Sequence, residues 1–266
     1  MGKLREKVSK GEIFAFASGD FFGGGSQLII SFYYLIFLTD IVKIRPALAG
    51  FIILFSKIWD AISDPLMGLI TDNTKSKWGR RKPYFLVGFF GILAAYFLLW
   101  LPISNDSEIV KFLYMLFAYT LYSTVSTIVM VPYSAMSSEI SADYKERNTI
   151  NGTRLVFSQI SSLICAVLPM EIVKMFSDVR TGYIAMAVAF GCFFAIPFLL
   201  MFLFTKERVV DVSEKRKFNL KVFLEPFKVR SFRILIAIYL FAFLAMDIVS
   251  TVFAYYMNYY LKRPGE

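Results

Sequence analysis

The chain has 266 residues, 57% of them hydrophobic and 18% aromatic, with a formal net charge of +9 and no histidine. That apolar content exceeds what a soluble domain of this length needs for its core. The missing histidine excludes His-based catalysis and His metal ligation. The two cysteines, Cys165 and Cys192, both lie in apolar runs without disulfide or metal spacing. No nucleophile–base pair, metal set or phosphate loop is visible, so no enzyme activity and no cofactor are expected.

Residues 1–12 (MGKLREKVSKGE) are short and charged, and the apolar stretch behind them is too long for a signal-peptide core and lacks a small-residue cleavage site. Spans are predicted at 13–39, 47–71, 84–103, 109–137, 153–175, 182–204 and 232–260. Each is at least as long as the roughly 20 residues that cross a hydrocarbon core about 30 Å thick. With the N-terminus inside, segments 1–12, 72–83, 139–154 and 205–233 hold four, five, three and nine Lys or Arg. The outside segments 40–46, 102–111, 171–181 and 261–266 hold two, one, two and two. This asymmetry is the positive-inside pattern. It predicts a multi-pass protein of the cell membrane with a cytoplasmic N-terminus, and it accounts for the basic charge without a nucleic-acid partner.

Span 1 carries a single carboxylate, Asp20, beside Gly19, Gly23, Gly24 and Gly25, which permit close helix approach or local unwinding. Span 2 carries Lys57, Asp60 and Asp64, spaced i, i+3 and i+7 on one helical face. An intramembrane charge costs about 2.5–3.5 kcal/mol on insertion scales, so three of them are expected to face protein or a watery cavity. Two carboxylates one turn apart beside a lysine suit a small cation or an exchangeable proton; the plainer reading is a neutralised network that locks helix packing. The aromatic residues Phe85, Phe89, Phe90, Tyr96 and Phe97 read as lipid-facing or packing surface. Pro65, Pro132, Pro169 and Pro197 fall inside spans, where kinks are tolerated.

The segment 205–231 is the longest polar stretch and reads as a cytoplasmic connector, with an interfacial helix around Leu220–Val229. Beyond it, Phe241-Ala242-Phe243 precedes Asp247 as Phe14-Ala15-Phe16 precedes Asp20, and aromatic stretches follow both aspartates. The last span therefore reads as the first helix of a second six-helix half, in the manner of parallel-repeat transporters. The expected division is a six-helix half over 1–204, the connector over 205–231, and the opening helix of a second half over 232–266. A complete protein would need about five more helices.

Trp59 to Pro83 (WDAISDPLMGLITDNTKSKWGRRKP) resembles the signature of the glycoside–pentoside–hexuronide:cation symporters, the melibiose-permease branch of the major facilitator superfamily. The pattern W-D-x-x-x-D-P followed by G-x-x-x-D-x-T-x-S-x-x-G is met by Trp59, Asp60, Asp64, Pro65, Gly68, Asp72, Thr74, Ser76 and Gly79. Val131 to Arg154 is similar to the family's helix 4–5 region. The resemblance implies an all-α major facilitator fold. It implies that Asp60 and Asp64 are cation carboxylates, with Ser63 and Thr127 placed to complete an oxygen shell for Na⁺ or Li⁺, whereas H⁺ would need only the carboxylates. It further implies that Asp20 and Arg154 contact sugar, with Lys57 nearby, and that Gly68, Asp72, Gly79, Arg80 and Arg81 form a conformational latch.

The chain departs from the pattern where melibiose permease has its second sugar-binding aspartate and its stacking tryptophan, for it has Met130 and Ser134 there. The cation part is complete and the sugar part is not, which argues against melibiose itself. The expectation is a cation-coupled symporter of a sugar or glycoside. A symporter of a lysolipid-like amphipath is the first alternative, and a seven-helix receptor or sensor is the second. The receptor leaves the span 2 carboxylates and the Gly79-Arg80-Arg81 loop without a purpose.

Overall fold

A computed structural model describes residues 7–208, 225–256 and 260, apart from the side chains of Asp247, Ser250, Thr251, Ala254 and Tyr255. Its α-helices are α1 (Lys10–Ala17), α2 (Asp20–Ile29), α3 (Pro46–Asn73), α4 (Lys82–Leu99), α5 (Glu108–Glu139), α6 (Tyr144–Lys174), α7 (Val179–Phe204) and α8 (Arg230–Tyr255). No strand occurs among the described residues. Among the described residues, six helical runs are long and apolar enough to cross a membrane: Lys10–Tyr34 and α3 through α7. The seventh expected span corresponds to α8, which lies against the Ile30–Tyr34 segment of the first. The chain is an all-α multi-pass membrane protein.

The first span is not one helix. Ser9 caps α1 by accepting the Glu12 N–H at 3.2 Å, and α1 ends at Ala17. The chain turns through Ser18 and Gly19, and α2 starts at Asp20. The Ser18 hydroxyl donates back to the Ala15 carbonyl at 2.8 Å, the local competition that weakens a helix at serine. After α2, two wide π-turns (Ile30–Tyr34 and Phe37–Ile41) complete the crossing. The glycine run supplies close approach: a Cβ on Gly24 would stand 2.6 Å from the Ser158 carbonyl oxygen of α6. The Ser161 hydroxyl bonds the Phe21 carbonyl at 2.6 Å, and that of Ser162 bonds the Gly24 carbonyl at 3.2 Å. Small residues and interhelical hydroxyls of this kind hold helices together where lipid offers no hydrophobic drive.

Further pairings are α3 with α5, α4 with α5, and α4 with α7. Their shared interior is aromatic: Tyr34, Tyr96, Trp100, Phe194 and Phe198 are fully buried. The expected aromatic stripe of α4 divides accordingly, since Phe85 and Tyr96 point into this core while Phe90 points outward. Pro65, Pro132, Pro169 and Pro197 lie inside α3, α5, α6 and α7.

The connections alternate between two ends of the bundle. At one end Arg45 pairs with Glu108 at 2.9 Å, and the Lys111 ammonium donates to the Val42 and Lys43 carbonyls. The other end gathers the start of α1, the α3–α4 and α5–α6 connections and the exit of α7. The span expected at 153–175 begins earlier, at Tyr144, because Asp143 caps α6 by accepting the Lys145 and Glu146 N–H groups. Its first turns are polar, so a hydropathy reading overlooks them. Of the helix expected around Leu220–Val229, residues up to Leu224 lie outside the described residues, and Glu225–Lys228 forms a single 3₁₀ turn. The Asp247 side chain of the proposed repeat also lies outside them.

Candidate functional site

Asp60 and Asp64 lie on consecutive turns of α3, facing α5. The two helices run parallel, so residues four apart on α3 meet residues four apart on α5. Ser123 donates to Asp60, and Thr127 donates to Asp64 at 2.7 Å. The Ser63 and Thr127 hydroxyls are 3.2 Å apart, and the Trp59 indole N–H donates to Thr124 at 2.8 Å. Ser63 and Thr127 are thus beside the carboxylates, where the sequence put them. Ser123 and Thr124 were not anticipated; the spacing Ser123–Thr127, which matches Asp60–Asp64, was the available signal.

These groups border a cleft of about 400 Å³, lined by Asp60, Asp64, Thr127, Met130 and Ser134 among others. Asp64 and Lys57 are exposed on this face of α3. Lys57 acts electrostatically on Asp60. Two carboxylates one turn apart repel one another unless a cation or proton lies between them. The hydroxyl oxygens around them are hard donors of the kind that hard cations take.

Asp20 opens α2, and its Oδ2 accepts from Arg154 Nε of α6 at 2.7 Å and from the Tyr133 hydroxyl of α5 at 2.8 Å. Arg154 Nε lies 2.9 Å from the same hydroxyl, and its guanidinium sits 4.3 Å from the Tyr133 ring centre. Three helices therefore meet at one carboxylate. The sequence paired Asp20 with Arg154 but missed Tyr133, one residue past Pro132 and unremarkable in an aromatic chain. Met130 separates this triad from the cleft: a Cβ on Gly23 would stand 3.0 Å from its terminal methyl and 3.1 Å from Asp20 Oδ1.

The residues read as a latch gather at the bundle end opposite Arg45. Buried Arg81 reaches Asp72 at 2.5 Å, Thr71 at 2.5 Å and Glu139 at 3.1 Å, and Arg80 reaches the same Glu139 oxygen at 2.6 Å. Glu207 accepts the backbone N–H groups of Arg80, Arg81 and Lys82 at 2.8, 2.7 and 3.1 Å. These are orphan donors at the start of α4, where the helix dipole favours an anion. Gly79 serves the same contact, with φ of +111° and a position where a Cβ would meet Glu207 Oε1 at 2.6 Å. Arg208 clamps Glu12 through two bonds of 2.6 and 2.7 Å. Gly68 has nothing within 4 Å of a Cβ, so no close approach requires it among the described residues. Glu12, Glu139 and Glu207 escaped the sequence reading because each is a single acid in a polar loop or at a helix end.

A family model described as MFS/sugar transport protein matches residues 15–266. The symporter YnaJ of Bacillus subtilis is 30% identical over 97% of this chain and 57% of its own length. The isoprimeverose transporter of Lactiplantibacillus pentosus is 26% identical over 96% of the chain and 54% of its own length. The sodium-dependent lysophosphatidylcholine symporter 1-A of zebrafish (Danio rerio) is 30% identical over 55% of the chain and 27% of its own length. The chain thus spans roughly half the length of the full-coverage relatives it matches. It belongs to the MFS/sugar transport family, within the glycoside–cation symporter branch of the major facilitator superfamily.

Proposed function

We propose that the protein is a cation-coupled symporter that carries a sugar or glycoside across the cell membrane by alternating access. The observation that carries this reading is the Asp60–Asp64 pair with Ser123 and Thr127 bonded to it, on the border of an open cleft. A bound Na⁺, Li⁺ or H⁺ neutralises the pair. Ser63 and Thr127 supply further oxygens, and Lys57 tempers the negative charge when the site is empty. Asp20 Oδ1 and the Arg154 guanidinium offer an acceptor and a fork of donors to substrate hydroxyls. Asp72, Arg80 and Arg81, with Gly68 and Gly79, form a latch that makes and breaks as the protein changes state. The N-terminus and the 205–231 connector are cytoplasmic, and 1–204 forms the first half of the transporter.

One observation favours a second cargo. Met130 gives the cleft an apolar wall where a second carboxylate would suit a sugar, and a relative is named for lysophosphatidylcholine. The test is solute-evoked current in proteoliposomes of the full-length protein, with and without Na⁺. The panel contains isoprimeverose, other glycosides and lysophosphatidylcholine. A glycoside current that requires a cation supports the symporter and names its cargo. Current from lysophosphatidylcholine alone moves the assignment to the amphipath, and silence across the panel in folded protein removes both.

A further inference from the structure

At the bundle end that carries the Arg81 network, the acids are engaged internally. Asp72 and Glu139 hold Arg80 and Arg81, Glu12 holds Arg208, and Glu207 holds three backbone N–H groups. Among the described residues, three lysines of the α3–α4 connection are not paired through their ammonium groups, although Lys82 gives its backbone N–H to Glu207. Lys75 and Lys77 are exposed, and Lys82 begins α4; none of them forms an ion pair among the described residues. Between them stands Trp78, 58% exposed, its ring edge-on to Phe202 of α7 at 5.5 Å. The Lys82 ammonium lies 5.5 Å from the centre of the same Phe202 ring.

Trp78 and Phe202 form an aromatic pair at this end of the bundle, and Lys75, Lys77 and Lys82 set ammonium groups beside it. The ester region and the phosphate of a phospholipid match that pairing. Tryptophan favours the interfacial level of a bilayer, and lysines just beyond a span attract anionic headgroups. Because α4 and α7 pack on each other, Phe202, Trp78 and Lys82 belong to one surface. We propose that the surface formed by Lys75, Lys77, Trp78, Lys82 and Phe202 binds an anionic phospholipid, its phosphate on the lysines and its glycerol ester region against Trp78 and Phe202.

This surface is separate from the Asp60–Asp64 cleft and does not depend on what is transported. Each lysine near an anionic surface is worth roughly a fivefold preference, so three lysines select clearly for charge over a zwitterion. The test uses the full-length protein in phosphatidylcholine vesicles, where brominated lipids quench indoles they touch. The quenching read is the part lost in Trp78→Phe, which removes the contribution of Trp59 and Trp100. Brominated phosphatidylglycerol at one-tenth of the lipid is expected to quench Trp78 at least twice as strongly as brominated phosphatidylcholine at that fraction. Lys75→Gln/Lys77→Gln/Lys82→Gln is expected to bring the two lipids level. If that triple variant does not fold, unbrominated phosphatidylglycerol should compete away the quenching in the wild type, while inorganic phosphate in the buffer should not. Equal quenching by the two lipids in the wild type overturns the proposal. So does competition by free phosphate, which would make the site one for a soluble anion.

Discussion

At the residue scale, each side chain of the cleft does a job that its neighbour on another helix defines. Thr127 donates to Asp64, so Thr127→Val removes a hydrogen bond and a candidate ion ligand while keeping the shape. The expected result is a rise in half-saturating Na⁺ of about tenfold, matching the ~1.5 kcal/mol of a hydrogen bond to a charged group, with little change in fold stability. Asp64→Asn is expected to abolish ion dependence, measured as the current with and without Na⁺; a variant retaining full dependence would remove Asp64 from the cation site. Arg81 is buried and bonded to Asp72, Thr71 and Glu139. Arg81→Met removes the cation that Asp72 and Glu139 share, and breaking a buried pair costs about 3–5 kcal/mol. The check is the unfolding midpoint of the purified protein in detergent. Asp60, Asp64, Asp20 and Arg154 were legible as residues because a charge in an apolar run stands out. Ser123, Tyr133 and Glu207 were not, because serine in a helix, tyrosine among aromatics and glutamate in a loop are ordinary where they stand.

At the element scale, helix ends decide where the apolar periodicity stops. Asp143 caps α6 with two N–H acceptances, and Asp143→Ala is expected to cost about 1 kcal/mol, seen as a lower unfolding midpoint and faster hydrogen exchange in the first turn of α6. Asp178 caps α7 by accepting from the Thr181 hydroxyl at 2.7 Å and the Thr181 N–H at 3.1 Å. Those bonds hold its carboxyl below the usual range, the Thr181 hydroxyl contributing most. A depressed folded pKa gives stability that is present above the ordinary carboxylate range and lost as pH falls through the lower folded value. Hydrogen exchange at the start of α7 should therefore be steady near neutrality and accelerate only in acid. The prolines and glycines of the spans announced departures from a straight helix. They did not announce their form, since the break at Ser18–Gly19 and the π-turns after Ile29 follow from how span 1 meets α6 and α8.

At the scale of the whole molecule, α3 presents two kinds of exposed surface. Lys57, Ala61 and Asp64 share one exposed stripe, while Ile62, Leu66 and Ile70 on another face are exposed and apolar. The charged stripe has to meet water or protein, and the apolar positions meet lipid or the rest of the transporter. In a Cys192→Ser background, Ala61→Cys is expected to react with a charged, membrane-impermeant thiol reagent, and Leu66→Cys to stay unreactive. Equal labelling at both positions would remove the watery cleft.

What the sequence determined by itself was the class, the spans, the charge asymmetry of the loops and the family signature. These are properties of single helices and of composition, for a hydrocarbon slab selects apolar length regardless of what packs beside it. The tertiary structure alone decided the lateral meetings: Ser123 with Asp60, Tyr133 between Asp20 and Arg154, and Glu207 under the start of α4. Those depend on the axial and rotational register of one helix against another. That register is set by the packing of small and aromatic residues over whole helix faces, which no local run of the chain specifies.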